Sequence, residues 1–79
     1  MNRLTVYTQP GCASCGASIR RLKSLGIEHT TIDVTEDAEA ARRLKAAGFQ
    51  TAPVFGFGGS LHTIVDLSDI INQIQEATA

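Results

Sequence analysis

Apolar positions along the chain change their period several times, and each change separates one element from the next. Leu4 and Val6 alternate with Thr5 and Tyr7, so Arg3 to Thr8 reads as a first strand. Pro10-Gly11 breaks that strand. From Ala13 to about Leu25 the spacing is helical: Cys15, Ile19 and Leu22 share an inward stripe, while Ser18, Arg20, Arg21 and Lys23 lie to its sides or outward. Basic residues late in this helix suit its dipole, and Gly26 stands where a C′ residue is wanted. Ile27 to Val34 reads as a second strand with Ile32 and Val34 as core candidates. Asp37 is placed to cap a helix from Ala38 to Ala47. Acidic Glu36, Asp37 and Glu39 gather at its start, Arg42, Arg43 and Lys45 follow, and Gly48 closes it. Phe49 to Ala52 forms a loop into Pro53. Val54 to Phe57 is a short third strand, Gly58-Gly59 a hairpin turn, and Leu61 to Val65 a fourth strand. Asp66 or Ser68 can cap a last helix carrying Ile70, Ile71 and Ile74.

The resulting order, β-α-β-α-β-β-α, predicts an α/β fold. The first two strands, joined through a helix, run parallel by a right-handed crossover, and the last two pair antiparallel through the tight turn. A four-stranded mixed sheet flanked by three helices follows, and those helices suffice to cover both sheet faces, so a monomer is expected. With 79 residues and no repeat, low-complexity tract or linker, residues 1–79 read as one small domain.

Composition narrows the function more than the fold. The formal net charge is −1, so neither nucleic acid nor an anionic membrane is indicated as a partner. The basic triplets Arg20-Arg21-Lys23 and Arg42-Arg43-Lys45 fall on helices and read as solvated faces. Leu4-Thr5-Val6-Tyr7 is too short for a secretory core and nothing reaches membrane-spanning length, which makes the cytoplasm the expected location. In that compartment two close cysteines are more often catalytic or metal-binding than structural.

Both cysteines lie in Gln9-Pro10-Gly11-Cys12-Ala13-Ser14-Cys15. At positions i and i+3 of a helix they can approach closely enough for an S–S bond to open and close within one turn. A sulfur at the helix start also meets free backbone N–H groups and the positive end of the dipole, which favours the reactive thiolate. C-x-x-C beside a β-α-β pattern reads as a thioredoxin-like redox motif. His29 and His62 could join the cysteines around zinc, but there is no second C-x-x-C or close histidine pair, and ordinary surface histidines explain both.

Taken together, these residues resemble the NrdH-redoxin family, small glutaredoxin-like members of the thioredoxin superfamily. The likeness runs through Val6-Tyr7-Thr8, Pro10, Cys12-Ala13-Ser14-Cys15, Gly26-Ile27, Ile32 to Asp37 with Glu39-Ala40, Gly48-Phe49 and Ala52-Pro53-Val54. The resemblance implies a cofactor-free dithiol carrier that takes electrons from thioredoxin reductase and passes them to a ribonucleotide reductase. It also implies a cis Ala52-Pro53 bond, with Ala52 offering its backbone N–H and C=O to an extended client segment. Thr8, Gln9, Pro10, Gly11, Ala13, Ser14, Thr51, Ala52 and Pro53 are the residues expected to border the client. Cys12, at the helix start, is expected to attack, and Cys15, a turn further in beside Ile19, to resolve the mixed disulfide. Two departures stand out. Gln9 occupies a position where a basic residue is common, and His62-Thr63-Ile64-Val65-Asp66-Leu67 replaces a Trp-Ser-Gly-Phe-Arg-Pro-like segment.

Two other functions fit the same pattern. A glutathione-dependent glutaredoxin would carry a Gly-Gly-x-Asp-Asp-like segment before the last helix. Here Val65-Asp66-Leu67-Ser68-Asp69 puts side chains where close backbone approach needs glycine. A non-catalytic binding module on the same fold would keep the cysteines inert or loaded with metal.

Overall fold

In the computed structural model, which describes residues 4–78, β1 (Leu4–Thr8) is the strand on which both layers are built. It pairs in parallel with β2 (His29–Asp33), Leu4 opposite His29 and Thr8 opposite Asp33. On its other side it pairs antiparallel with β3 (Val54–Phe57), Tyr7 opposite Val54. β3 in turn pairs antiparallel with β4 (Ser60–His62), Phe55 opposite His62, so the sheet order is β2-β1-β3-β4. The alternation along β1 sorts its side chains between two faces. Leu4 and Val6, with Phe55, meet α1 (Ala13–Ser24) and α3 (Leu67–Thr78) in a core that includes Leu22, Ile27, Leu67, Ile70, Ile71 and Ile74. Tyr7 and Val54 point the other way, onto Ala40 and Leu44 of α2 (Ala38–Ala46).

The first two helices end alike, and sequence chemistry explains why. Gly26 and Gly48 take φ of +69° and +90°, a region that costs other residues steric strain. Their N–H groups bond Lys23 and Lys45 carbonyls, and the following Ile27 and Phe49 N–H groups bond Leu22 and Leu44 carbonyls at 3.0 and 2.9 Å. This is the Schellman arrangement, completed by apolar contact of each final pair within its own core. Asp37 caps α2 as expected, its Oδ1 accepting the Ala40 N–H at 3.0 Å. The Phe57–Ser60 hairpin turns through Gly58 and Gly59, both at positive φ, as a tight two-residue connection requires.

Several boundaries differ from the sequence reading. Arg3, assigned to the first strand, lies outside the described residues. β2 is shorter than Ile27–Val34 because Ile27 gives its N–H to Leu22 to close α1. Ile32 and Val34 are half-buried and pack on the α2 side. Ser18, expected at the side of α1, is buried, and its hydroxyl is satisfied by donating to the Ser14 carbonyl at 2.8 Å. The fourth strand stops at His62 instead of reaching Val65, and Ile64–Asp66 winds into a 3-10 turn that leads straight into α3. Beyond the Phe55–His62 pair β3 has only Val54 before Pro53, which has no N–H to extend a ladder. Asp66, expected as a helix cap, instead contacts His62 Nδ1 through Oδ2 at 3.2 Å, and Ser68 falls inside α3.

Candidate active site

The strand register gathers the chemistry at one end of the sheet. β1 and β2 finish there at Thr8 and Asp33, β3 starts there at Val54, and β4 finishes there at His62. Four connections therefore meet at this end: Gln9 to Cys12, Val34 to Asp37, Thr51 to Pro53, and Thr63 to Asp66. Val34 N–H bonds the Thr8 carbonyl at 2.9 Å, tying the first two together.

Pro10 and Gly11 turn the chain out of β1, Gly11 at φ +76°, and deliver Cys12 to the N-cap of α1 with φ −91° and ψ 101°. Its carbonyl accepts the Gly16 N–H at 3.2 Å, the first bond of the helix. Its Sγ accepts the Cys15 N–H at 3.1 Å, so the sulfur does what a serine or aspartate oxygen does at other helix starts. No acidic residue in the first turn of α1 opposes the dipole there. Cys12 is half-buried and Cys15 is 2 % exposed, their Cα atoms are 5.2 Å apart, and the two sulfurs are joined as a disulfide. The pair is thus one bond between an accessible sulfur and a covered one.

The remaining expected site residues fall into two groups. Gln9, Pro10, Gly11, Ala13 and Ser14 are exposed around the cysteine turn, and Thr8 is half-buried at the end of β1. Thr51 is exposed, Ala52 half-buried and Pro53 buried, and the Ala52-Pro53 peptide is cis. Both groups lie at the same end of the sheet. His29 and His62 do not join the cysteines: His29 Nδ1 donates to the Ile27 carbonyl at 3.0 Å, and His62 is engaged by Asp66. Among the described residues no group of three or more His, Cys, Asp and Glu side chains is placed to hold a metal ion.

Two features of this end escaped the sequence reading. A cavity of about 300 Å³ opens beside Gln9 and Ala52, with Leu44, Val34 and Phe49 in its lining. No local pattern announces it, because its walls come from four separate segments. Ile64 and Val65, placed in a strand by their β-branched character, sit on the 3-10 turn at 46 % and 83 % exposure. Leu67 next to them is buried in the core, and no glycine occurs between Val65 and Asp69.

Comparison with known proteins agrees with this geometry. The glutaredoxin family model matches residues 4–62. The glutaredoxin-like protein NrdH of Escherichia coli is 35% identical over 75 residues, covering 95% of this chain and 91% of the relative. Its Salmonella typhimurium counterpart is 34% identical over 71 residues, covering 90% and 86%. The solved structure of NrdH-redoxin from Escherichia coli, described as having a thioredoxin-like activity profile, superposes with a TM-score of 0.79 at 31% identity. That match covers 89% of this chain and 92% of the other.

Proposed function

Because the chain belongs to the glutaredoxin family, and within it to the NrdH-redoxins, we propose that it carries electron pairs from thioredoxin reductase to a ribonucleotide reductase. Its general chemistry is that of a thiol-disulfide oxidoreductase with a thioredoxin-like fold. The observation that carries the reading is the asymmetry of the cysteine pair, with Cys12 accessible at the N-cap and Cys15 covered one turn inside.

In the reduced protein the Cys12 thiolate attacks one sulfur of the client disulfide. A Cys12–client disulfide forms and one client thiolate leaves. The Cys15 N–H that points at Cys12 Sγ, and the helix end behind it, stabilise negative charge at the attacking atom. Cys15, having lost its proton, then attacks Cys12 Sγ and releases the second client thiolate. The client gains two electrons and two protons, and the protein is left with the Cys12–Cys15 bond. Thioredoxin reductase returns the electron pair. The segment before Pro53 offers backbone groups for an extended client strand, and Thr51 and Ala52 are the residues that would meet it. The protein acts as a monomer in the cytoplasm; among the described residues no helix is long and apolar enough to cross a membrane.

NADPH consumption with a protein disulfide substrate tests this, once with thioredoxin reductase and once with glutathione and glutathione reductase. Turnover is expected with the first system and not the second. Turnover sustained only by glutathione would replace the proposed electron source with the tripeptide.

A further inference from the structure

A glycine inside a strand gives up backbone entropy on folding and packs no side chain against its neighbours, so its place in a sheet needs a reason. Gly56 lies inside β3, paired with Thr5 of β1 on one side and Leu61 of β4 on the other. Backbone geometry does not demand it. Its φ is not positive, and an added Cβ would meet Tyr7 Cε2, Thr5 Cβ and Leu61 Cδ2 at 3.4, 3.6 and 3.8 Å, all ordinary contacts. Residues directly opposite one another share a face of the sheet, so Thr5, Gly56 and Leu61 form one row with a trough at its centre. The neighbouring Tyr7 and Val54 are covered by Ala40 and Leu44 of α2. Over the glycine row a cavity of about 410 Å³ opens instead, reaching the Phe57–Ser60 hairpin at the end of the sheet remote from the cysteines. Arg43 of α2 is the one charged residue in its lining. The Arg43 guanidinium is 3.9 Å from the Glu39 carboxylate, and both side chains are more than half exposed, so that pairing holds it only weakly.

We propose that this trough binds a small aromatic carboxylate, its ring laid flat over Gly56 between Thr5 and Leu61 and its carboxylate held by Arg43. A glycine in a sheet is commonly covered by an aromatic ring from the next strand. Here both direct partners are aliphatic, and Tyr7 brings only a ring edge to one side, so the ligand's ring supplies the missing cover. The planar guanidinium fork matches a carboxylate and accepts no neutral group as well. With no acidic side chain in the lining, an anion meets no opposing charge inside the trough. The volume lies in the range of small-molecule sites. None of its lining residues belongs to the cysteine turn or to the segment before Pro53, so the trough can be filled while a client is engaged.

The test titrates the full chain with phenylacetate, phenylacetamide and cyclohexylacetate and follows the backbone amides by heteronuclear NMR. Phenylacetate is expected to give saturable shifts at Thr5, Gly56 and Leu61, with a dissociation constant on the order of 1 mM, the scale for a ligand this small. Phenylacetamide, which lacks the charge, should bind about tenfold more weakly. Cyclohexylacetate keeps the charge but has a puckered ring, and it too should bind more weakly. Arg43→Gln, a change at an exposed residue, should bring the acid and its amide to near parity. Gly56→Ala fills the floor of the trough through ordinary contacts alone and should weaken phenylacetate about tenfold. Reduction of hydroxyethyl disulfide should proceed at the same rate with the trough saturated. No saturable shift below tens of millimolar, equal affinity for acid and amide, or equal affinity for flat and puckered rings would each overturn the site. So would a charge preference that survives Arg43→Gln, full affinity in Gly56→Ala, or shifts centred on the cysteine turn with slowed disulfide reduction.

Discussion

The unequal exposure of the two cysteines sets a rate ratio that can be measured. In the reduced protein, an alkylating reagent reaches Cys12 directly but reaches Cys15 only when the first turn of α1 opens. That opening breaks the Gly16 N–H bond to the Cys12 carbonyl and the Cys15 N–H bond to Cys12 Sγ. Each contributes about 1 kcal/mol net. Rehydrating a small side chain that is 2 % exposed adds about 1 kcal/mol more. The combined cost of about 3 kcal/mol corresponds to a rate ratio on the order of a hundredfold at about 1.4 kcal/mol per decade. Sub-stoichiometric iodoacetamide at neutral pH followed by peptide mapping reads that ratio. The same asymmetry predicts that Cys15→Ser accumulates a covalent adduct with a disulfide client through Cys12, and that Cys12→Ser traps none. Alkylation rates within about threefold of one another, against the hundredfold expected from access, would refute the argument. A client adduct formed only by the Cys12→Ser protein would reverse the two roles.

Three further outcomes follow from packing and capping. Phe55→Ala removes a side chain that is fully buried in the central core and should cost about 3–5 kcal/mol in urea unfolding. Against a total stability of roughly 4–12 kcal/mol for a chain of this length, much of the protein should then unfold at low denaturant. Asp37→Ala removes the carboxylate that accepts the Ala40 N–H and should lower the urea midpoint by the equivalent of about 1 kcal/mol. Gly48→Ala places a Cβ at φ +90° and should cost about 1–2 kcal/mol, although no atom lies within 4 Å of the added carbon, so the loss reports backbone strain alone.

Punctuation made most of this fold legible in the sequence. Gly11, Gly26, Gly48 and Gly58-Gly59 each mark a place where positive φ admits few residues, Asp37 marks one where a side chain must cap a helix, and the elements between them fell close to where the apolar period puts them. The cysteine turn was legible for the same reason, since spacing and helix start together constrain the chemistry. Features decided by tertiary contact were not. Ile64 and Val65 have strand-forming side chains, yet the ladder they would extend ends at the Phe55–His62 pair, and beyond it only Val54 stands before Pro53, which has no N–H. Ser18 is polar and reads as lying to the side of the inward stripe or outward, but a hydroxyl that bonds the carbonyl one turn back can be buried without loss. The cavity beside Ala52 is assembled from residues as far apart as Gln9 and Thr51, and no window along the chain contains it.

The Cys12–Cys15 bond spans a sequence separation of only 3, between a helix cap and the first turn that cap begins. Tying so small a ring removes little freedom from an unfolded chain, about 2 kcal/mol in a polymer estimate against about 4.7 kcal/mol for a hundred-residue loop. Reducing the bond should therefore lower the stability against urea by no more than about 2 kcal/mol, and the two apolar cores hold the fold in either redox form. The bond is thus a chemical store and hardly a structural staple: what it holds is an electron-pair vacancy on one helical turn, and the fold around that turn is carried by packing.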